Sequence, residues 1–220
     1  NLADEADVKI GGVAVPPEGN WFYRGAAQTV TLTPRPGSPL AGLPIAMFCS
    51  IKSGLDVANV ASAPVFGRAQ TTTYSWAVTG HTNSGTFQLR LSGVGMTTEI
   101  ALVVSKLISS NLVDEADVKI GGAAVPEGGN WFYRDKPQTV TLIPKSDSPL
   151  VGLPIALTYE VKSGLDVGNV VSEPAFGSLQ TTYSWAVTGN TNSGTFQLAL
   201  AARGSPVVNY LLPTSKLRSR

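Results

Sequence analysis

Charge is scarce in this chain. Of 220 residues only 14% are Asp, Glu, Lys or Arg, and the formal net charge is +1. No cluster of Lys and Arg is available to neutralise phosphates, which excludes an electrostatically driven nucleic-acid partner. Cysteine is down to one, Cys49, and histidine to one, His81. A lone cysteine forms no intrachain disulfide, so cysteine usage leaves the redox compartment open. One Cys and one His cannot fill the four positions of a structural zinc. No apolar run reaches the length of about 18 residues that a membrane-spanning helix needs. The glycine-rich phosphate loops are missing, and so is sustained helical periodicity.

What the chain does have is a duplication. Asn1-Leu2-Ala3-Asp4-Glu5-Ala6-Asp7-Val8-Lys9-Ile10-Gly11-Gly12 returns as Asn111-Leu112-Val113-Asp114-Glu115-Ala116-Asp117-Val118-Lys119-Ile120-Gly121-Gly122. Trp21-Phe22-Tyr23-Arg24 returns as Trp131-Phe132-Tyr133-Arg134, and Tyr74-Ser75-Trp76-Ala77-Val78 as Tyr183-Ser184-Trp185-Ala186-Val187. A period of about 110 residues is too long for a solenoid unit and is the size of a self-sufficient domain. The chain is therefore expected to form two domains, 1–110 and 111–220, each large enough to bury a core. Asn1 begins in phase with the repeat, which reads as a piece cut from a longer polypeptide at a repeat boundary. Duplication also acts as a filter: whatever the fold requires should recur, whereas a unique active site need appear only once.

Alternation runs through each copy. In Gln28-Thr29-Val30-Thr31-Leu32-Thr33 the aliphatics share one face and the threonines the other, until Pro34 stops the ladder. Ile45, Met47, Cys49 and Ile51 form the next apolar face; Tyr74, Trp76 and Val78 another; Phe87, Leu89 and Leu91 a fourth. Ile100, Leu102 and Val104 close the repeat, and Val207 to Leu212 reads as the last strand of copy two, confined by Pro206 and Pro213. Gly80 to Gly85 reads as a polar hairpin loop and Gly93-Val94-Gly95 as a turn. About seven short strands, with turn signals every 8–12 residues, give the pattern of an all-β antiparallel sandwich. The junction near Ser109-Ser110-Asn111 has no long linker, so an end-to-end pair is expected.

Few residues invite a chemical reading. Cys49 lies on a core-facing position and is replaced by Tyr159, which makes it a small hydrophobe rather than a nucleophile. His81 sits in a polar loop and is replaced by Asn190, so no catalytic base recurs. Trp76 and Trp185 are mid-strand and read as core. The acidic entry Asp4, Glu5, Asp7 is repeated as Asp114, Glu115, Asp117 at the predicted junction. Carboxylates at a seam offer the oxygens calcium takes, which makes Asp114, Glu115 and Asp117 the candidate metal residues. The plainer reading is a solvated start to a strand. Trp21, Tyr23, Trp131 and Tyr133 share one face if their segments are strands, and exposed rings there would stack on sugars or on a partner protein. Against that stands their presence in both copies, which favours a structural cover over one end of the core, with Arg24 and Arg134 alongside.

Pro39-Leu40-Ala41-Gly42-Leu43-Pro44-Ile45, Pro149-Leu150-Val151-Gly152-Leu153-Pro154-Ile155, Gly85-Thr86-Phe87-Gln88-Leu89 and Gly194-Thr195-Phe196-Gln197-Leu198 carry a resemblance. Over most of each copy the chain resembles the bacterial immunoglobulin-like repeats of adhesins of the intimin and invasin kind. It lacks the paired cysteines that bracket a tryptophan in vertebrate immunoglobulin domains. The resemblance implies two tandem immunoglobulin-like domains on the bacterial surface or secreted, with neighbouring repeats of the same chain as partners. A non-enzymatic stalk or spacer role is then expected. A glycan- or protein-binding module built on the Trp-Phe-Tyr regions is the alternative.

Overall fold

The computed structural model describes residues 2–93, 99–146, 148–202 and 208–219. The chain divides into two compact units, Asn1–Ser109 and Ser110–Arg220. Unit 1 holds β1 (Ala6–Ile10), β2 (Val13–Ala14), β3 (Trp21–Tyr23), β4 (Ala27–Pro34), β5 (Ile45–Ser53), β6 (Val60–Ala63), β7 (Ser75–Gly80), β8 (Gly85–Gly93), β9 (Glu99–Ala101) and β10 (Ser105–Ile108). One sheet has the order β2-β1-β4-β7-β6; the other has β3-β10-β8-β5, with β9 also on β8. Unit 2 repeats the plan with β11 (Ala116–Ile120), β12 (Ala123–Ala124), β13 (Trp131–Tyr133), β14 (Gln138–Pro144), β15 (Ile155–Ser163), β16 (Val170–Glu173), β17 (Leu179–Gln180), β18 (Ser184–Gly189), β19 (Gly194–Ala202), β20 (Val208–Leu211) and β21 (Ser215–Arg218). Its sheets run β12-β11-β14-β18-β16 and β13-β21-β19-β15-β17, with β20 on β19. Both units are all-β immunoglobulin-like sandwiches, with more strands than the seven expected. The additions are short: β2, β3 and β10 in unit 1, and β17 beside β15 in unit 2.

The alternating patterns become alternating burial. Along β8 every second residue from Gly85 to Gly93 is buried, and β7 does the same with Trp76, Val78 and Gly80. Between the sheets lie Ile10, Phe22, Val30, Leu32, Met47, Trp76, Phe87, Leu89, Leu91 and Leu107, all buried. Phe22 meets Phe87 edge-on with centroids 5.1 Å apart, and Phe132 meets Phe196 at the same distance. Each such ring contributes about 1.5–3 kcal/mol by leaving water. Trp76 and Trp185 are fully buried, as expected of mid-strand positions.

Two expectations need correcting. Gly80–Gly85 is not a hairpin: β7 and β8 belong to different sheets, so this loop carries the chain across the sandwich. A four-residue polar link fits either connection, and only the partners available to β7 and β8 decide between them. The closing strand is not Glu99–Val104 but β10, Ser105–Ile108, with β9 a short side pairing. Val94 and Gly95 of the expected turn, and Pro206 and Val207 of the expected last strand, lie outside the described residues.

Polar side chains shared by both copies hold loops in place. The Tyr74 hydroxyl lies 2.8 and 2.7 Å from the carbonyl oxygens of Leu40 and Leu43, sharing one proton between them. Tyr183 repeats this on Leu150 and Leu153 at 2.8 and 2.9 Å. These loops are the Pro-Leu-x-Gly-Leu-Pro segments that lead into β5 and β15. Burial raises the pKa of Tyr183, so the phenol stays protonated and keeps its proton for these carbonyls. Tyr183→Phe keeps the ring but takes the hydroxyl donor from Leu153 O and from Leu150 O, the latter still accepting from Leu153 N at 3.0 Å. It is expected to lower the stability of unit 2 by about 1–3 kcal/mol in denaturant unfolding, with the slope unchanged.

Candidate functional site

The aromatic segments sit at the edge of one sheet in each unit. Phe22 and Phe132 point into the core, which sends their neighbours to the opposite face. β3 pairs in parallel with β10, in the register Trp21↔Lys106, Phe22↔Leu107 and Tyr23↔Ile108. β13 pairs likewise with β21, giving Trp131↔Lys216, Phe132↔Leu217 and Tyr133↔Arg218. Each tryptophan therefore stands beside a lysine. Lys106 Nζ lies 4.4 Å from the Trp21 ring centroid, and Lys216 Nζ 5.0 Å from that of Trp131. In unit 2 the Arg218 guanidinium is added, 4.3 Å from the Trp131 centroid and 5.3 Å from that of Tyr133. It also donates to the Tyr133 hydroxyl at 3.1 Å. These basic residues are the part of the site that the aromatic motif alone does not announce. Their signal was the repeated Ser-Lys-Leu at 105–107 and 215–217.

The four candidate aromatics are not equivalent. Trp131 is 43% exposed and Tyr133 half-buried, whereas Trp21 is half-buried and Tyr23 only 1% exposed. The Tyr23 ring thus offers no face to a ligand in solvent, and burial pushes its hydroxyl pKa up. A shared polar frame holds the segment from behind. Asn20 Nδ2 donates to Gln28 Oε1 at 2.7 Å, and Gln28 Nε2 donates to the Trp21 carbonyl at 2.7 Å. Asn130, Gln138 and Trp131 repeat the arrangement at 2.8 and 2.9 Å. Arg24 donates through Nη2 to Ser84 Oγ, and Arg134 to Ser193 Oγ at 2.7 Å.

The acidic entries are spread rather than convergent. Asp114 lies exposed in a 3-10 turn, Glu115 is buried at 1% exposure, and Asp117 is exposed on β11. In unit 1, Asp7 is paired with Arg35 at 3.0 Å. The matching base of unit 2, Lys145, donates to the Val113 carbonyl at 2.8 Å. Among the described residues no three of His, Cys, Asp and Glu gather where a metal ion would sit. His81 is exposed in the loop pinned by Asn59, whose Oδ1 accepts from Thr82 N, Thr82 Oγ1 and Asn83 N at 2.9, 2.9 and 3.2 Å. Asn169 holds the corresponding loop, where Asn190 stands in place of the histidine. A depression of about 430 Å³ on unit 2 is lined by Ala156, Gly177, Leu179, Ala201 and Ala202, none of which titrates. No helix among the described residues is long and apolar enough to cross a membrane.

No family model matches the chain, and no curated protein matches it. Solved structures do. The D0–D1 domains of intimin align over 97% of this chain and 100% of theirs, at 11% identity and a TM-score of 0.35. A C-terminal 282-residue fragment of intimin, in complex with the intimin-binding domain of the translocated intimin receptor, aligns over 95% of this chain at 10% identity and a TM-score of 0.48. The chain spans 63% of that fragment. The fibronectin(III)-like modules of Clostridium thermocellum CbhA align over 97% of this chain and 94% of theirs, at 11% identity and a TM-score of 0.44. No residue role is carried over from any of the three.

Cys49 is half-buried against the core, and burial pushes its thiol pKa up to about 11. The thiolate is the reactive species, so at pH 8 its fraction falls about a hundredfold below that of a thiol titrating near 9. Alkylation of the native protein at pH 8 should be slower than in denaturant by at least that factor. The rate should climb tenfold per pH unit up to about pH 10.

Proposed function

We propose that the chain is a non-enzymatic spacer segment of a bacterial surface or secreted protein, with neighbouring repeats of the same polypeptide as its partners. The observation that carries this reading is the parallel pairing of β3 with β10, repeated by β13 with β21. The strand nearest each unit's exit lies parallel to one near its entry. A pull applied before β3 and after β10 acts along the strands in opposite directions, so the ladder is sheared as a whole rather than opened bond by bond. The hydrogen bonds Lys106 N to Asn20 O at 2.9 Å and Arg24 N to Ile108 O at 2.8 Å flank that ladder in unit 1. Lys216 N to Asn130 O at 2.9 Å and Arg134 N to Arg218 O at 3.1 Å do so in unit 2. A segment that keeps its length under tension is what a spacer requires.

The polar side chains common to both copies support the same reading. Tyr74, Asn59, Asn20, Gln28 and Arg24, and their partners in unit 2, are spent on carbonyls and loops of the fold itself. The groups with catalytic potential, Cys49 and His81, belong to one copy only and lie in different settings. No constellation of nucleophile and base recurs.

Pulling the chain from its two ends in a single-molecule force experiment tests the proposal. Two cooperative unfolding events are expected, each lengthening the chain by about 35 nm, the span of roughly 110 extended residues less the folded unit. Gradual extension without steps would refute it. Gly129 supplies a control inside the clamp: its φ is +80°, and a Cβ there would lie 1.8 Å from the Thr214 carbonyl oxygen. Gly129→Ala should therefore cost unit 2 at least about 2 kcal/mol and lower the force of one event only.

A further inference from the structure

The two copies share one plan of strands and part company at the aromatic corner. In unit 1, Trp21 stands beside Lys106, whose ammonium feels the attraction of Glu18, and the next position on the strand is the buried Ile108. In unit 2, Gly128 replaces Glu18 and Arg218 replaces Ile108. The corner has lost a carboxylate and gained a guanidinium, and its tryptophan is exposed. Glu127, which stands where unit 1 has Pro17, is exposed in the turn before β13. Neither Lys216 nor Arg218 forms an ion pair with it, or with any other described carboxylate.

Arg218 is also arranged to receive something. A guanidinium lying against aromatic faces keeps its N–H donors in a plane that remains open at the edge. One is used on Tyr133 Oη, and the others match a carboxylate or sulfate in two-pronged fashion. Lys216 adds a second positive charge on the same ring. An exposed indole next to two bases without acidic partners is complementary to a ligand with an apolar face and an anionic group. A uronic or sulfated sugar has both.

We propose that the corner of Trp131, Tyr133, Lys216 and Arg218 on unit 2 binds an acidic saccharide, its anionic group held by Arg218 and Lys216 and its ring against Trp131. Unit 1 has no equivalent site, because Ile108 and Glu18 take the place of the second base and of the opening beside the first. This goes beyond the spacer reading and stands apart from it: a corner that binds no sugar overturns the proposal and leaves the clamp untouched.

The test titrates the full chain with tetragalacturonate, a chondroitin sulfate tetrasaccharide, the methyl ester of tetragalacturonate and octaglutamate, read by tryptophan fluorescence and calorimetry in low salt. At least one of the two acidic sugars should bind with Kd below about 1 mM. The neutral ester and the acidic peptide should bind at least tenfold more weakly. Arg218→Ile installs the residue unit 1 already uses and should reduce affinity about tenfold with melting unchanged. Trp131→Ala should do the same, with Trp131→Phe as the milder variant if the alanine protein fails to fold. Trp21→Ala should have no effect. No binding of either acidic sugar, equal binding of octaglutamate, or equal sensitivity to Trp21→Ala would each overturn the proposal.

Discussion

Each unit depends on laying a Trp-Phe-Tyr segment alongside its own last strand. That contact brings residues near the entry of the unit to its exit, seats Phe22 on Phe87 or Phe132 on Phe196, and completes the second sheet. Only a glycine fits the approach. At Gly19 and Gly129 φ is positive, and a side chain would meet the backbone of the segment leading into the last strand. The neighbouring asparagine and glutamine hold the segment from behind, and the loop-closing tyrosine and asparagine hold two of the crossings between sheets, those into β5 and β8. These closures rest on hydrogen bonds and packing rather than on charge, of which the chain has little.

The same contact explains how one scaffold can carry two surfaces. The middle residue of the triplet is fixed by the core, while its neighbours lie on the opposite face of the strand and answer to whatever the last strand presents. Lysine at the first position of the pair gives each tryptophan a cation. The second position is free to differ, and it does: Ile108 is buried in unit 1, whereas Arg218 reaches over two rings in unit 2.

Much of this was legible beforehand. Alternation identified β1, β4, β5, β7 and β8 because each has one face in the core and one in water, and a period of two is then enforced at every residue. Trp76 and Trp185 announced themselves by the same rule. β3 and β10 were harder. At three and four residues they are too short for a period to show, and they are strands because each finds the other across more than eighty residues of sequence. The loop at Gly80–Gly85 is ambiguous in sequence for a related reason, since a hairpin and a crossing between sheets ask for the same polarity and length. The acidic entries suggested a cluster because they are adjacent in sequence. The structure turns Glu115 inward and Asp117 outward, and sets Arg35 or Lys145 beside them.

The sequence by itself determined that there are two like units, that they are built of strands, and which residues fill their cores. Repetition and alternation are local facts that survive without knowledge of partners. Tertiary structure alone decided which strands run parallel, which sheet each joins, and that Lys216 and Arg218 converge on Trp131. Those outcomes depend on pairing between distant segments. In such pairing a shift of one residue would exchange the buried face for the exposed one, and no short stretch of sequence records it.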